Sequence, residues 1–276
     1  VTLSPIFIGG APRSGLTLLR VMPDAHPAIS CGPDAGHVAL TMTSADFETT
    51  FGSLHLKHFH LEPESVRRDF ARAIAAPMKK RAGALGKTRW ADKTAFNILV
   101  FERLAKLFSE ARLAHIARHG RDLAASLLER QWRDPSRKLF DQCANLAGAA
   151  LYWASIVTRG LQAEADPSVA GRVIRVRYED LAVNPHEALR QVCAFLGEPF
   201  EAQMAAIETR RPALAGLELE TADRLHRPLN TSAVGRWRQD LRQEDARSVY
   251  AACPPLFETL GYPAGQVAVF RFGERC

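Results

Sequence analysis

One stretch narrows the fold more than any other: Pro5-Ile6-Phe7-Ile8 runs into Gly9-Gly10, and a helical pattern follows from about Ser14 to Met22. An apolar run that meets a glycine turn and then a 3.6-residue period reads as strand, tight turn and helix. The same alternation recurs along the chain. Strands are expected around residues 89–91, 113–118 and 173–177, and helices at about 64–81, 97–108, 120–131, 136–165, 185–197 and 243–260. Strands alternating with helices imply parallel strands joined by crossover helices, an α/β layered fold with helices on both faces of one sheet. Ligands in such folds bind beyond the carboxyl ends of the strands, so functional residues are sought just after each strand.

Composition excludes several classes. With 47% hydrophobic and 24% charged residues the chain is globular rather than disordered. No apolar run approaches the roughly 20 residues that a membrane span needs. The opening VTLSPIFIGG has neither a basic leader nor a small-residue cleavage site and does not read as a signal peptide. A start at Val1 reads as trimmed, which leaves a removed leader open. The 36 basic against 30 acidic residues give +6, but the 29 Arg and 7 Lys are spread along the whole chain. That pattern lacks the basic stripe and interleaved aromatics of a nucleic-acid binder and fits a phosphate-bearing ligand or an acidic partner. Five cysteines (Cys31, Cys143, Cys193, Cys253, Cys276) are odd in number and lack metal or redox spacing. They read as reduced thiols of a cytoplasmic enzyme.

The loop Gly9-Gly10-Ala11-Pro12-Arg13-Ser14-Gly15-Leu16-Thr17-Leu18 sits where a first ligand contact is expected. A glycine turn feeding a helix N-terminus offers free N–H groups and the positive end of a helix dipole, which suit phosphate or sulfate. Arg13, Ser14 and Thr17 add one cation and two hydroxyls. No Gly-Lys-Ser/Thr follows, so the loop is not a Walker A motif and a nucleoside triphosphate is disfavoured. Arg118 ends a later strand, and Ser126 lies about two turns into the next helix. The pair is a candidate second phosphate site, because the arginine fork matches phosphate oxygens, although Arg-x7-Ser alone is a common chance pattern in an Arg-rich chain.

These stretches together resemble sulfotransferases that use 3′-phosphoadenosine-5′-phosphosulfate. Ile6 to Gly15 resembles their 5′-phosphosulfate loop, and Arg118 with Ser126 has the spacing of their 3′-phosphate site. Arg177-Tyr178-Glu179-Asp180-Leu181 is similar to a segment whose Tyr packs near the adenine. Val234-Gly235-Arg236-Trp237, with Ser232 just before it, resembles the late loop that closes over the donor. Within that superfamily the likeness is greatest to tyrosylprotein sulfotransferases. Asp24-Ala25-His26-Pro27 and Cys31-Gly32-Pro33-Asp34 track a segment ending in Cys-Gly-Glu-Glu, whose second Glu is the base. Asp92-Lys93-Thr94-Ala95-Phe96 tracks Asn-Lys-Asp-Pro-Phe, whose Lys is catalytic.

The resemblance implies one sulfotransferase domain over residues 1–276. It implies transfer of a sulfuryl group to a hydroxyl, most simply a tyrosine in a peptide with acidic residues around it, leaving 3′,5′-adenosine bisphosphate. Catalysis would rest on Asp34, Arg13 and Lys93. The donor would be held by Arg13, Ser14, Gly15, Leu16, Thr17, Leu18, Arg118, Ser126, Tyr178, Ser232, Arg236 and Trp237. No metal, nucleic acid or membrane span is implied, and a homodimer stays open. The chain departs from the pattern at Leu16, usually Thr, and at Asp34, one methylene shorter than the usual Glu. Pro23 would end or kink the first helix. Ala91 stands where the secretory-pathway enzymes carry a Cys that bridges the one matching Cys31, so Cys31 is expected to be a free thiol.

Sulfuryl transfer resembles phosphoryl transfer: an in-line displacement in which the protein positions partners and stabilises charge. A phenol with pKa near 10 must lose its proton, which requires a base within hydrogen-bond reach. Asp34 is the first candidate, against a role as a helix cap after Pro33; His37 and His119 are rivals. His55-x-x-His58-x-His60 has spacing that could bring two imidazoles together on a metal, but no Cys is nearby. A sulfotransferase acting on a small molecule, lipid or carbohydrate, and a nucleotide-binding protein with weakened catalysis, remain the alternatives.

Overall fold

The computed structural model describes residues 4–34, 36, 38, 60–130, 143–169, 171–209, 212–214, 222–225 and 227–262. Five strands form one sheet: β1 (Ile6–Gly10), β2 (Ile29–Cys31), β3 (Arg89–Lys93), β4 (Arg112–Ala117) and β5 (Val173–Arg177). The order is β2-β3-β1-β4-β5 and each pairing is parallel. The helices that matter for the site are α1 (Leu16–Asp24), α2 (Pro63–Ala84), α3 (Phe101–Leu107), α4 (Gly120–Arg130), α5 (Leu146–Ala165), α6 (Tyr178–Val183), α7 (Pro185–Leu196), α8 (Gln243–Ala252) and α9 (Pro254–Thr259).

Alternation along β1 divides the core. Phe7 joins Trp90, Leu113, Trp153 and Phe257 on one face. Ile6 and Ile8 join Leu19, Ile116, Val176 and Leu189 on the other. Both faces of a parallel sheet are therefore covered, as the strand–helix alternation predicts. The chain leaves β1 toward β2 and β3 on one side and reaches β4 and β5 on the other, so the loops after β1 and β4 face a crevice at the switch point.

Several boundaries differ from expectation. β2 was not foreseen, because three residues after Pro27 show no alternation to detect. As an edge strand it would expose unpaired backbone. Arg20 donates to the Cys31 carbonyl at 3.1 Å, Asp24 accepts the Cys31 N–H at 2.8 Å, and Lys87 donates to the Ile29 carbonyl at 2.8 Å. Three side chains thus close that edge. Helix α1 runs through Pro23 to Asp24, so the proline sits inside the last turn instead of stopping the helix at Met22. Residues 95–100 form a 3-10 turn before α3 rather than one helix from 97. α5 begins at Leu146, where Asn145 caps it by accepting the Gly148 N–H at 2.9 Å; the expected start at 136 lies outside the described residues. The last helix is two, divided at Cys253 before Pro254-Pro255, since proline cannot supply the missing N–H.

Candidate active site

The loop after β1 turns on two left-handed residues. Arg13 has φ 72° and Gly15 has φ 97°. The glycine is required for a second reason: a Cβ there would lie 2.4 Å from the Tyr178 ring. Gly15 provides no side-chain cap for α1, so the first-turn N–H groups around Leu16, Thr17 and Leu18 remain available to an anion. Ser14 is fully buried, and its hydroxyl has no hydrogen-bond partner among the described residues. Leu16 is buried in the core below the loop rather than turned to it.

The strand ends bring the remaining groups to this loop. Arg118 follows β4 directly. Its guanidinium donates to the Arg13 carbonyl at 2.9 Å and to the Ala233 carbonyl at 2.6 Å, while the Tyr178 ring lies 4.7 Å from its centre. Arg13 Nε donates to Ser126 Oγ at 3.1 Å. Residues expected to hold opposite ends of one ligand are therefore in direct contact. Arg118 Nε is buried without a partner among the described residues, a second polar group that faces no protein acceptor.

Lys93 ends β3, paired in register with Ile8 of β1. Its ammonium lies 3.4 Å from Asp34 Oδ2. Lys93 is 4% exposed, whereas the Asp34 side chain is 36% exposed, so the pair has a buried cation and an accessible carboxylate. Asp34 Oδ1 accepts the Gly36 N–H at 3.0 Å. That contact is an Asx-type turn, and the second oxygen faces the lysine.

Of the rival bases, His119 is among the described residues. His119 accepts the Arg121 N–H at 3.2 Å and stacks on Trp237 with centroids 5.8 Å apart. Burial, and then the neighbouring Arg121, Arg238, Arg118 and Arg177, push its pKa down to about 3. It is a neutral packing residue. His37, and the His55 and His58 of the metal alternative, lie outside the described residues; His60 alone is placed, at a left-handed φ of 52°. Among the described residues no group of three metal-ligating side chains occurs.

The late loop is held by contacts of its own. The Arg236 guanidinium pairs with Glu129 at 3.1 Å and with Asp240. Ser232 is exposed and turns its hydroxyl to Asn230. Trp237 contributes its ring to the His119 stack, and the Arg121 guanidinium lies 4.4 Å from the centre of that ring. Two residues that organise the site escaped the sequence reading. Asp122 accepts the N–H groups of Gly235 at 2.8 Å and Trp237 at 2.9 Å. Glu179 accepts the His119 N–H at 2.9 Å and the Tyr262 hydroxyl at 2.6 Å. Their acidity beside helix starts was visible, but partners up to 115 residues away in the chain were not.

Cys31 is a buried free thiol whose pKa burial pushes well up, and its register partner on β3 is Ala91. The thiol is free, as expected, and its burial disfavours the thiolate.

Comparison with known proteins agrees with this fold. The profile of the Sulfotransferase family matches residues 5–202. A protein-tyrosine sulfotransferase of Drosophila melanogaster is 25% identical over 265 residues, covering 93% of this chain and 51% of that protein. The chain thus spans about half the length of that relative. Protein-tyrosine sulfotransferase 1 of Danio rerio is 26% identical over 268 residues, covering 93% of this chain and 72% of the relative. Among solved structures, the sulfotransferase domain of the Synechococcus PCC 7002 olefin synthase superposes with a TM-score of 0.64 at 22% identity, covering 95% and 96% of the two chains. Mouse sulfotransferase SULT7A1, solved with PAP, gives 0.53 at 14% identity, covering 92% and 84%. With the parallel sheet, the loop after β1 and the matched profile in agreement, the chain belongs to the sulfotransferase family.

Proposed function

We propose that this protein transfers a sulfuryl group from 3′-phosphoadenosine-5′-phosphosulfate to the hydroxyl of a peptide tyrosine. The observation that carries this reading is Arg118, whose fork joins the Arg13 and Ala233 carbonyls above the Tyr178 ring. Three segments far apart in the chain meet there around a place fit for a multiply charged ligand. The donor fits the residues present. Ser14 Oγ and Arg118 Nε are buried and without partners among the described residues, and buried polar groups seldom stay so unless a ligand or water completes them.

Arg13, Ser14, Thr17 and the N–H groups from Gly15 to Leu18 would hold the 5′-phosphosulfate, Arg118 and Ser126 the 3′-phosphate, and Tyr178 the adenine. Bound there, the donor supplies an activated sulfuryl group on a phosphate leaving group. The chain's own residues do the rest. Asp34 Oδ2 takes the phenolic proton, Lys93 keeps a positive charge beside it, and Arg13 places a second cation at the loop. The similarity to proteins named protein-tyrosine sulfotransferase supports a tyrosine acceptor. A formal charge of +6 suits a peptide with acidic residues around that tyrosine.

Incubation with sulfur-labelled donor, an acidic peptide containing one tyrosine, and the same peptide with phenylalanine instead tests the reading. Label is expected on the first peptide alone. Label on sugar or small-molecule hydroxyls but on neither peptide would overturn the acceptor, and no label anywhere would overturn the activity.

A further inference from the structure

Thr94 immediately follows Lys93 and stands where the resembling motif Asn-Lys-Asp-Pro-Phe has an acid. It is 3% exposed and pinned at both ends of its peptide unit. Its N–H donates to the Ile8 carbonyl at 3.2 Å, and its carbonyl accepts the Asn97 N–H at 3.0 Å. Its backbone occupies the N-cap of the 3-10 turn at 95–100, yet its side chain makes no capping hydrogen bond there. The hydroxyl is directed elsewhere: Oγ1 donates to Asp34 Oδ1 at 3.1 Å.

That contact makes the two oxygens of Asp34 unequal. Oδ1 receives both the Thr94 hydroxyl and the Gly36 N–H, at 3.1 and 3.0 Å. Oδ2 faces the Lys93 ammonium at 3.4 Å. We propose that Thr94 is a positioning residue that holds the Asp34 carboxylate with Oδ2 as the proton-accepting oxygen. This rests on the sulfuryl-transfer reading of the same site.

The physical need is specific to this chain. The terminal torsion of an Asp side chain is broad and roughly two-fold, so an unrestrained carboxylate exchanges its oxygens. Displacements of about 1 Å at a reacting group can cost on the order of 100-fold in rate. A base one methylene shorter than Glu has less reach with which to correct such an error. An acid at position 94 would set a like charge against Asp34, whereas threonine sets a donor there. The short base and the hydroxyl are therefore complementary, and β3 gives the hydroxyl a rigid mount.

The test compares Thr94→Val, which keeps the shape and removes the donor, with Thr94→Ser, which keeps the donor. Thr94→Val is expected to lower kcat about ten-fold, the worth of one hydrogen bond to a charged group, with the KM for the sulfuryl donor unchanged. Thr94→Ser is expected to restore most of that rate. Full kcat in Thr94→Val, or a Ser variant as slow as the Val variant, would overturn the proposal. If the wild-type protein transfers to no hydroxyl at all, the activity reading fails by itself. Crystal structures then decide the positioning claim: an Asp34 carboxylate turned away from Lys93 in Thr94→Val supports it, and an unmoved carboxylate overturns it.

Discussion

The carboxylate of Asp122 accepts the backbone N–H of Trp237 at 2.9 Å, and its other oxygen accepts that of Gly235 at 2.8 Å. A fully buried acid on the first turn of α4 thereby fastens a loop more than 110 residues away in the chain. The same loop presents the Ala233 carbonyl to Arg118. Asp122 thus helps to set the position of Arg118, the proposed 3′-phosphate ligand, through that loop.

Removing this anchor should loosen the site before it unfolds the protein. Asp122→Ala leaves two part-buried N–H groups without their acceptors, each worth up to about 1–3 kcal/mol. Calorimetric titration with 3′,5′-adenosine bisphosphate should show affinity reduced at least about ten-fold, with Asp122→Asn intermediate because its amide keeps one acceptor oxygen. Unchanged affinity in the Ala variant would show that the loop is held by other contacts.

Arg118→Lys keeps the charge and loses the fork. A single ammonium cannot reach the Arg13 and Ala233 carbonyls and also stack on Tyr178. Bisphosphate affinity should fall roughly 10- to 100-fold, while the thermal midpoint moves little. Equal affinity in the Lys variant would mean that charge alone matters at this position.

Legibility from sequence followed the range of the interactions. The loop from Gly9 to Leu18 could be read because strand, glycine turn and helix are written in adjacent residues. Lys93 and Asp34 could be read through their motifs, and the structure brings them to 3.4 Å. The roles of Asp122, Glu179 and Thr94 were hidden, since each depends on a partner at least 60 residues distant in the chain. Arg236 could be picked out through its motif, but its ion pairs with Glu129 on α4 and with Asp240 one turn on could not. β2 was missed because its stability comes from β3 and from the side chains of Arg20, Asp24 and Lys87, not from a local pattern.

Gly160 on α5 lies against the fully buried His115, where a Cβ would fall 2.2 Å from the ring. The ring cannot step aside easily, because His115 Nδ1 is bound to Glu164 at 2.9 Å. Gly160→Ala should destabilise by about 1–3 kcal/mol through overpacking and lower Tm by several degrees. Its bisphosphate affinity should equal that of the wild type. A Tm equal to or above the wild type would show that α5 can move away from β4.

His119 gives a pH dependence with a definite sign. Its pKa is about 3 when folded, while an unfolded histidine titrates near 6.5. Between those values the unfolded chain binds a proton that the folded one refuses. The contribution is therefore present above pH ~6.5 and is lost as pH falls toward the folded value. His119→Asn retains an acceptor for the Arg121 N–H and does not titrate. In urea unfolding, the stability advantage of the wild type over this variant should shrink by about 2 kcal/mol between pH 7 and pH 4.5. A constant gap would place the ring in a more solvated setting.

The central claim is that the Lys93–Asp34 pair serves sulfuryl transfer to a tyrosine. Intact-mass spectrometry of an acidic, single-tyrosine peptide after incubation with the sulfuryl donor tests it directly, using wild-type protein and Asp34→Asn side by side. The account predicts a gain of one sulfonate, located to the tyrosine, with the wild type and little or none with the variant. An unmodified peptide with the wild type, or equal modification by Asp34→Asn, would contradict it.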